Sequence, residues 1–91
     1  MHFNITIRLV IESDYNPESW WAANDREYAE SRDCLIEDLE ALPFIKHVSE
    51  NGGIISIQCH NELKTTQFQQ QCQPILDEYW MYIFVVSIDK V

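Results

Sequence analysis

Residues 44–59 read FIKHVSENGGIISIQC, and this stretch decides the fold because its pattern is that of a β-hairpin. Phe44 to Ser49 is a short strand, Asn51-Gly52 is a strong two-residue turn signal, and Ile54 to Cys59 is a second strand. Alternation puts Ile55, Ile57 and Cys59 on one face, so a one-residue slip would expose all three and the register is well specified.

On the N-terminal side of the hairpin lies a helical pattern. Asn24 or Asp25 is its expected cap, it runs to about Leu42, and Pro43 stops it. At about 100° per residue, Tyr28, Leu35, Ile36, Leu39 and Leu42 project to one side, while Glu30, Asp33, Glu37 and Glu40 project to the other. Arg32 falls within the apolar arc, where its stem can pack while the guanidinium reaches water or an acid. On the C-terminal side, Asn61 can cap a second helix carrying Leu63, Phe68, Cys72, Ile75, Leu76 and Tyr79. Pro74 lies within it and either kinks the helix or opens a new turn.

The outer ends are strands. Phe3, Ile5, Ile7, Leu9 and Ile11 alternate with polar residues, a period of two that Val10 alone breaks. Ser13 to Asn16 form a turn, and Asn16-Pro17-Glu18 is a helix-start signal ahead of Trp20 and Trp21. Met81 to Ile88 is apolar on both faces apart from Tyr82 and Ser87, and such a strand wants cover on both sides.

The resulting order, βαββαβ, resembles the ferredoxin-like arrangement: an α+β fold in which two helices cover one face of a four-stranded antiparallel sheet. The resemblance spans the whole chain, residues 1–91, as a single domain, and rests on element order, which carries no function with it. The usual strand order for such folds, 4-1-3-2, places the last strand at an edge. An apolar edge invites pairing, so one expectation is a homodimer whose contact involves Tyr82, Phe84 and Val86.

The chain has 91 residues, enough for one modest core, and its 46% hydrophobic content is too high for a disordered acidic tail. Six basic residues stand against fifteen acidic ones, a net charge of -9. Between Glu12 and Glu50 there are eleven acids and three bases, so the excess is concentrated around the first helix. Direct binding to nucleic acid needs a Lys/Arg surface and is disfavoured; binding to anionic membranes is disfavoured for the same reason. Met1 to Ile11 lacks a basic n-region, and no apolar run approaches the roughly 18 residues of a membrane span. Three cysteines, Cys34, Cys59 and Cys72, show no disulfide framework. The expectation is a soluble cytoplasmic protein whose thiols are reduced and buried as small hydrophobes.

Chemistry is sparsely represented. Cys59 and His60 are adjacent in a strand and point to opposite faces, so they do not converge on a metal, and no helical His pair exists. No serine sits in a G-x-S-x-G setting, and the two glycines are adjacent in the hairpin turn, leaving no phosphate-cradling loop. Acylphosphatase-type enzymes share the element order but need an arginine-containing loop after the first strand, where this chain has Glu12 to Asn16 with two acids. RNA-recognition modules need aromatic residues on the open face of the central strands. Here those positions are His2, Asn4, Thr6 and Arg8 on one strand and Ile54, Ser56 and Gln58 on the other. Carboxylate pairs such as Glu37-Asp38 and Asp77-Glu78 lie on outward faces, without the dry or like-charged setting that a general acid needs. Neither cofactor, metal nor catalytic residue is expected.

The stripe remains. Helical neighbours three or four apart stand about 5–6 Å from each other, on the scale of phosphates along a nucleic-acid strand. A row of carboxylates at that spacing can occupy the basic groove of a nucleic-acid-handling protein through fast, salt-sensitive association. Trp20 and Trp21, about 100° apart if helical, can supply an apolar anchor beside it. The expectation is a non-catalytic inhibitor or regulator: a nucleic-acid mimic, in concrete form a phage or mobile-element protein acting against host restriction or CRISPR defence. It docks through Glu30, Asp33, Glu37, Glu40, Trp20 and Trp21. The alternative is a small dimeric regulatory domain that associates through its last strand and open sheet face and senses a ligand between subunits.

Overall fold

The computed structural model describes residues 1–11, 14 and 22–91. Its elements are β1 (His2–Leu9), α1 (Asp25–Glu40), β2 (Ile45–Asn51), β3 (Ile54–Cys59), α2 (Thr65–Asp77) and β4 (Ile83–Lys90). The strands form one sheet in the order β2-β3-β1-β4, with every neighbouring pair antiparallel. This is the ferredoxin-like α+β arrangement, with β4 at one edge and β2 at the other. Trp20, Trp21 and the Asn16-Pro17-Glu18 signal lie outside the described residues.

Alternation along β1 puts Phe3, Ile5 and Ile7 fully into the core, where they meet Ile55, Ile57 and Cys59 of β3. Leu35 and Leu39 of α1 and Phe68, Cys72 and Leu76 of α2 close over the same face. Each helix inserts residues four apart, the spacing that keeps one stripe facing the sheet. Phe68 stacks on Phe3 with ring centroids 4.1 Å apart, and Phe44 meets Phe68 edge-on at 6.4 Å.

The alternation of β1 reverses at its end. Leu9 is half-buried, Val10 is buried and Ile11 is exposed. The strand stops at Leu9, after which the Val10 amide donates to the Tyr82 carbonyl and the Val10 carbonyl accepts from Ala23. Val10 is thus an anchor of the strand exit, and Ile11 is no part of the buried row.

A shift of register also explains the two-faced character of β4. Ile5 pairs with Ile88 and Thr6 with Ser87, but Ile7 pairs with Val85, so Val86 is an extra residue in a bulge. Ile83, Val85 and Ile88 therefore share the inner face, Phe84 takes the outer one, and Val86 stands out exposed. Only Phe84 and Val86 need cover from outside. The strand itself starts at Ile83 and continues to Lys90, two residues later at each end than the apolar run Met81 to Ile88.

Three other boundaries differ from expectation. The hairpin turn is centred on Gly52-Gly53, since Asn51 still pairs with Ile54. Both glycines have positive φ, +60° and +85°, as a type I′ turn requires. α2 is capped at Lys64 and not at Asn61, the Gln67 side chain accepting from the Lys64 amide at 2.9 Å. α1 ends at Glu40, just short of Leu42. Pro74 lies inside α2, which runs through it to Asp77.

Gly53 carries more than turn geometry. Its carbonyl accepts from the Ile7 amide at 2.8 Å, and a Cβ built there would meet the Ile7 carbonyl oxygen at 2.8 Å. That oxygen belongs to a central strand and cannot give way cheaply. Gly53→Ala is expected to cost about 2–3 kcal/mol in urea denaturation. Gly52→Asn, facing open space at a φ that Asn tolerates, is expected to cost well under about 1 kcal/mol. Equal losses at the two sites would show that backbone conformation and not the contact with Ile7 decides.

Candidate functional site

α1 is well started. The Asn24 side chain accepts from the Glu27 amide at 2.8 Å and the Glu27 carboxylate accepts from the Asn24 amide at 3.1 Å, a reciprocal capping box. Asp25 and Glu27 also sit in the first turn, where the helix dipole favours negative charge.

Its other end is charged the wrong way for stability. Glu37, Asp38 and Glu40 fall in the last turn, which has no basic residue, so three carboxylates face the negative end of the dipole. Glu30, Asp33, Glu37 and Glu40 are all exposed, while Leu35 and Leu39 are buried on the opposite side. Glu30 pairs with Arg26 at 3.0 Å, and Asp33 lies 3.5 Å from Arg32; the first of these pairs is open to water and adds little. Among the described residues, Glu37 and Glu40 have no ion pair. Arg32 behaves as its position suggests. Its stem packs, and the guanidinium lies over the Tyr28 ring at 5.9 Å with Glu50 at 3.9 Å.

Asp38 is engaged elsewhere. It accepts a hydrogen bond from the Tyr79 hydroxyl, tying α1 to the segment after α2. Burial, and after it the bond to Asp38, pushes the Tyr79 hydroxyl well above the ordinary tyrosine value, so Tyr79 keeps its proton at neutral pH. Beside it is an open cleft of about 380 Å³ lined by Glu27, Glu30, Ser31, Cys34, Glu78, Tyr79 and Tyr82. Glu30 thus belongs to both the stripe and the rim of this cleft. Cys34 is exposed there, contrary to the expectation of three buried thiols; Cys59 and Cys72 are buried.

The open sheet face mixes polar residues with the exposed Ile54 and Phe84, and its arginine is engaged within the fold. Arg8 makes a two-pronged bond to Asp14, Nη1 to Oδ2 at 2.9 Å and Nη2 to Oδ1 at 2.6 Å, and its guanidinium lies 4.1 Å above the Phe84 ring. Asp14 also accepts from the Ile11 amide at 2.8 Å. The bond to Arg8 holds the Asp14 carboxyl below its ordinary value. Arg8 is therefore committed within the fold, which removes the natural anion-binding group from this face. Of the other expected contact residues, Tyr82 shares the cleft with Glu30, while Phe84 and Val86 are not among its lining residues. Tyr82 is half-buried just before β4, and Phe84 and Val86 are exposed on β4 itself.

Among the described residues no group of three or more His, Cys, Asp or Glu is arranged to hold a metal ion, and no helix is long and apolar enough to cross a membrane. No protein-family model matches the chain, and neither a curated protein nor a solved structure matches it.

Proposed function

We propose that this chain is a non-catalytic binding protein that docks the exposed acidic face of α1 on a basic surface of a nucleic-acid-handling protein. The row of carboxylates takes the place of phosphates. An inhibitor of a host restriction or CRISPR system, carried by a phage or mobile element, is its concrete form.

The observation that carries this reading is the last turn of α1. An acid at a helix C-terminus costs about 0.3–1 kcal/mol against the dipole at low ionic strength, and acids three or four apart repel each other besides. Solubility alone could be had from acids anywhere on the surface. Glu37 and Glu40 instead sit where they weaken the helix that bears them, and departures from local consistency of this kind concentrate at functional sites.

The test is capture of proteins from cell lysate by the tagged chain at low and high salt, set against a variant with Glu30, Asp33, Glu37 and Glu40 all changed to Lys. The wild type is expected to capture a basic protein that high salt releases. The variant is expected to lose that capture while melting no lower, because lysines in the last turn favour the dipole. Salt-sensitive capture that survives the reversal would remove the stripe from the function.

A further inference from the structure

The cleft beside the stripe is built from two segments that meet only in the fold. α1 supplies Glu27 and Glu30, the segment after α2 supplies Glu78, Tyr79 and Tyr82, and the volume between them is about 380 Å³. That is the lower end of the roughly 300–1,000 Å³ of small-ligand sites, room for one long side chain but not for a helix. Among the described residues, those that line it include three carboxylates and no Lys, Arg or His. Two of the three already have a contact within the chain. Glu27 lends one oxygen to the Asn24 amide, and Glu30 holds Arg26 through one 3.0 Å bond between two side chains that are largely in water. An exposed pair of that kind yields readily to a better partner.

Glu78 carries the same mark as Glu37 and Glu40. It is the C-cap of α2 and is exposed, so it stands against the negative end of a second helix, where an acid costs stability. Tyr79 beside it is held in place, because its hydroxyl donates to Asp38 of α1. The two tyrosines give the cleft what the stripe lacks. A bare row of carboxylates attracts any cation, whereas an aromatic ring beside carboxylates favours a flat one. Within this chain arginine already seeks aromatic rings twice, Arg8 over Phe84 at 4.1 Å and Arg32 over Tyr28 at 5.9 Å.

We propose that the cleft is a socket for one arginine side chain of the basic partner, its guanidinium held by the Glu30 and Glu78 carboxylates and laid against Tyr79 and Tyr82. The inference rests on the docking reading above and makes it specific: the stripe supplies attraction, and the socket selects the residue that enters. Arginine is the occupant because a planar group with five N–H donors reaches carboxylates on two segments at once and stacks on tyrosine. The lysine ammonium is a compact, strongly hydrated point charge and gains less from the same walls.

The experiment is an NMR titration of the full chain with hexa-arginine and, separately, with hexalysine of equal charge. Both peptides are expected to shift the amides of Asp33, Glu37 and Glu40. Only hexa-arginine is expected to shift the Cys34 amide and the ring signals of Tyr79 and Tyr82, and to bind at least about fivefold more tightly. Glu78→Gln and Tyr82→Leu, both outside the stripe, are each expected to bring hexa-arginine down to the affinity of hexalysine, while Tyr82→Phe keeps the ring and the preference. Glu78→Gln is expected to melt no lower than the wild type, since it removes an acid from the end of α2. Equal affinity of the two peptides for the wild type overturns the socket, as does a preference that both Glu78→Gln and Tyr82→Leu retain; shifts along the stripe then leave the docking function standing. Peptides that leave the stripe amides unmoved overturn the docking reading and the socket with it.

Discussion

Phe68→Ala is expected to remove about 3–5 kcal/mol of stability, the range for emptying a fully buried aromatic site. A domain of this size holds only about 5–15 kcal/mol in total, so the variant stands near the edge of unfolding. The size of the effect follows from how little else holds α2. Its exposed positions are Thr66, five glutamines, Pro74 and Asp77, and its buried side chains are Phe68, Cys72 and Leu76. Phe68 is 0% exposed and lies parallel to Phe3 of the central strand, with interplanar angle 1°, while Phe44 contributes an edge from the start of the hairpin. Removing the ring therefore loosens α2, β1 and the entry to β2 together. Phe68→Leu, which keeps much of the volume, is expected to lose about half as much in the same urea titration. A loss below about 1 kcal/mol for the alanine variant would mean that the cavity collapses and that α2 has other anchors.

The element order was legible because each element carries its own period. The hairpin has two glycines at its turn, α1 has a clean apolar arc, and β1 alternates through Phe3, Ile5 and Ile7. What local pattern could not supply is what a partner strand decides. The bulges at Lys46 and Val86 arise from pairing register, and only the second of them explains why β4 looks apolar on both faces. The start of α2 moved from Asn61 to Lys64 because the Gln67 side chain caps the chain there, a local competition that residue preference alone does not resolve.

The candidate site divides in the same way. Exposure of Glu30, Asp33, Glu37 and Glu40 follows from periodicity, and so does that of Cys34, about 40° from Glu30 around the helix; the general burial of cysteine points the other way and is the weaker guide here. The engagement of Asp38 by Tyr79 joins residues 41 apart in the chain, and the Arg8–Asp14–Phe84 stack joins three separate segments. Neither leaves a mark in spacing.

Raising the pH above about 9 is expected to unfold this protein progressively, and Cys72 is expected to be the largest single cause. Its thiol is 0% exposed, and burial, with Cys59 nearby, pushes it from an ordinary value of 9.0 up to about 12. Burial also raises the Cys59 thiol and the Tyr79 hydroxyl, the latter with help from Asp38. For Tyr28, burial raises the hydroxyl, Arg32 opposes that rise and Glu50 adds to it. In each case the folded state holds a proton that the unfolded chain releases at lower pH. The associated stability is therefore complete below the ordinary value of each group and is lost as pH climbs toward the folded value. For Cys72 the window opens at about 9 and closes at about 12, and at pH 11 that one thiol removes about 3 kcal/mol. New negative charge on a chain already at -9 acts in the same direction, but it acts on every variant alike. Cys72→Ala separates the two. It is expected to be somewhat less stable than the wild type at pH 7 and to lose less stability between pH 8 and 11. Parallel pH profiles for the two proteins would mean that the buried thiol ionises in the folded state as readily as in the unfolded chain, and that α2 opens to water before the rest of the fold gives way.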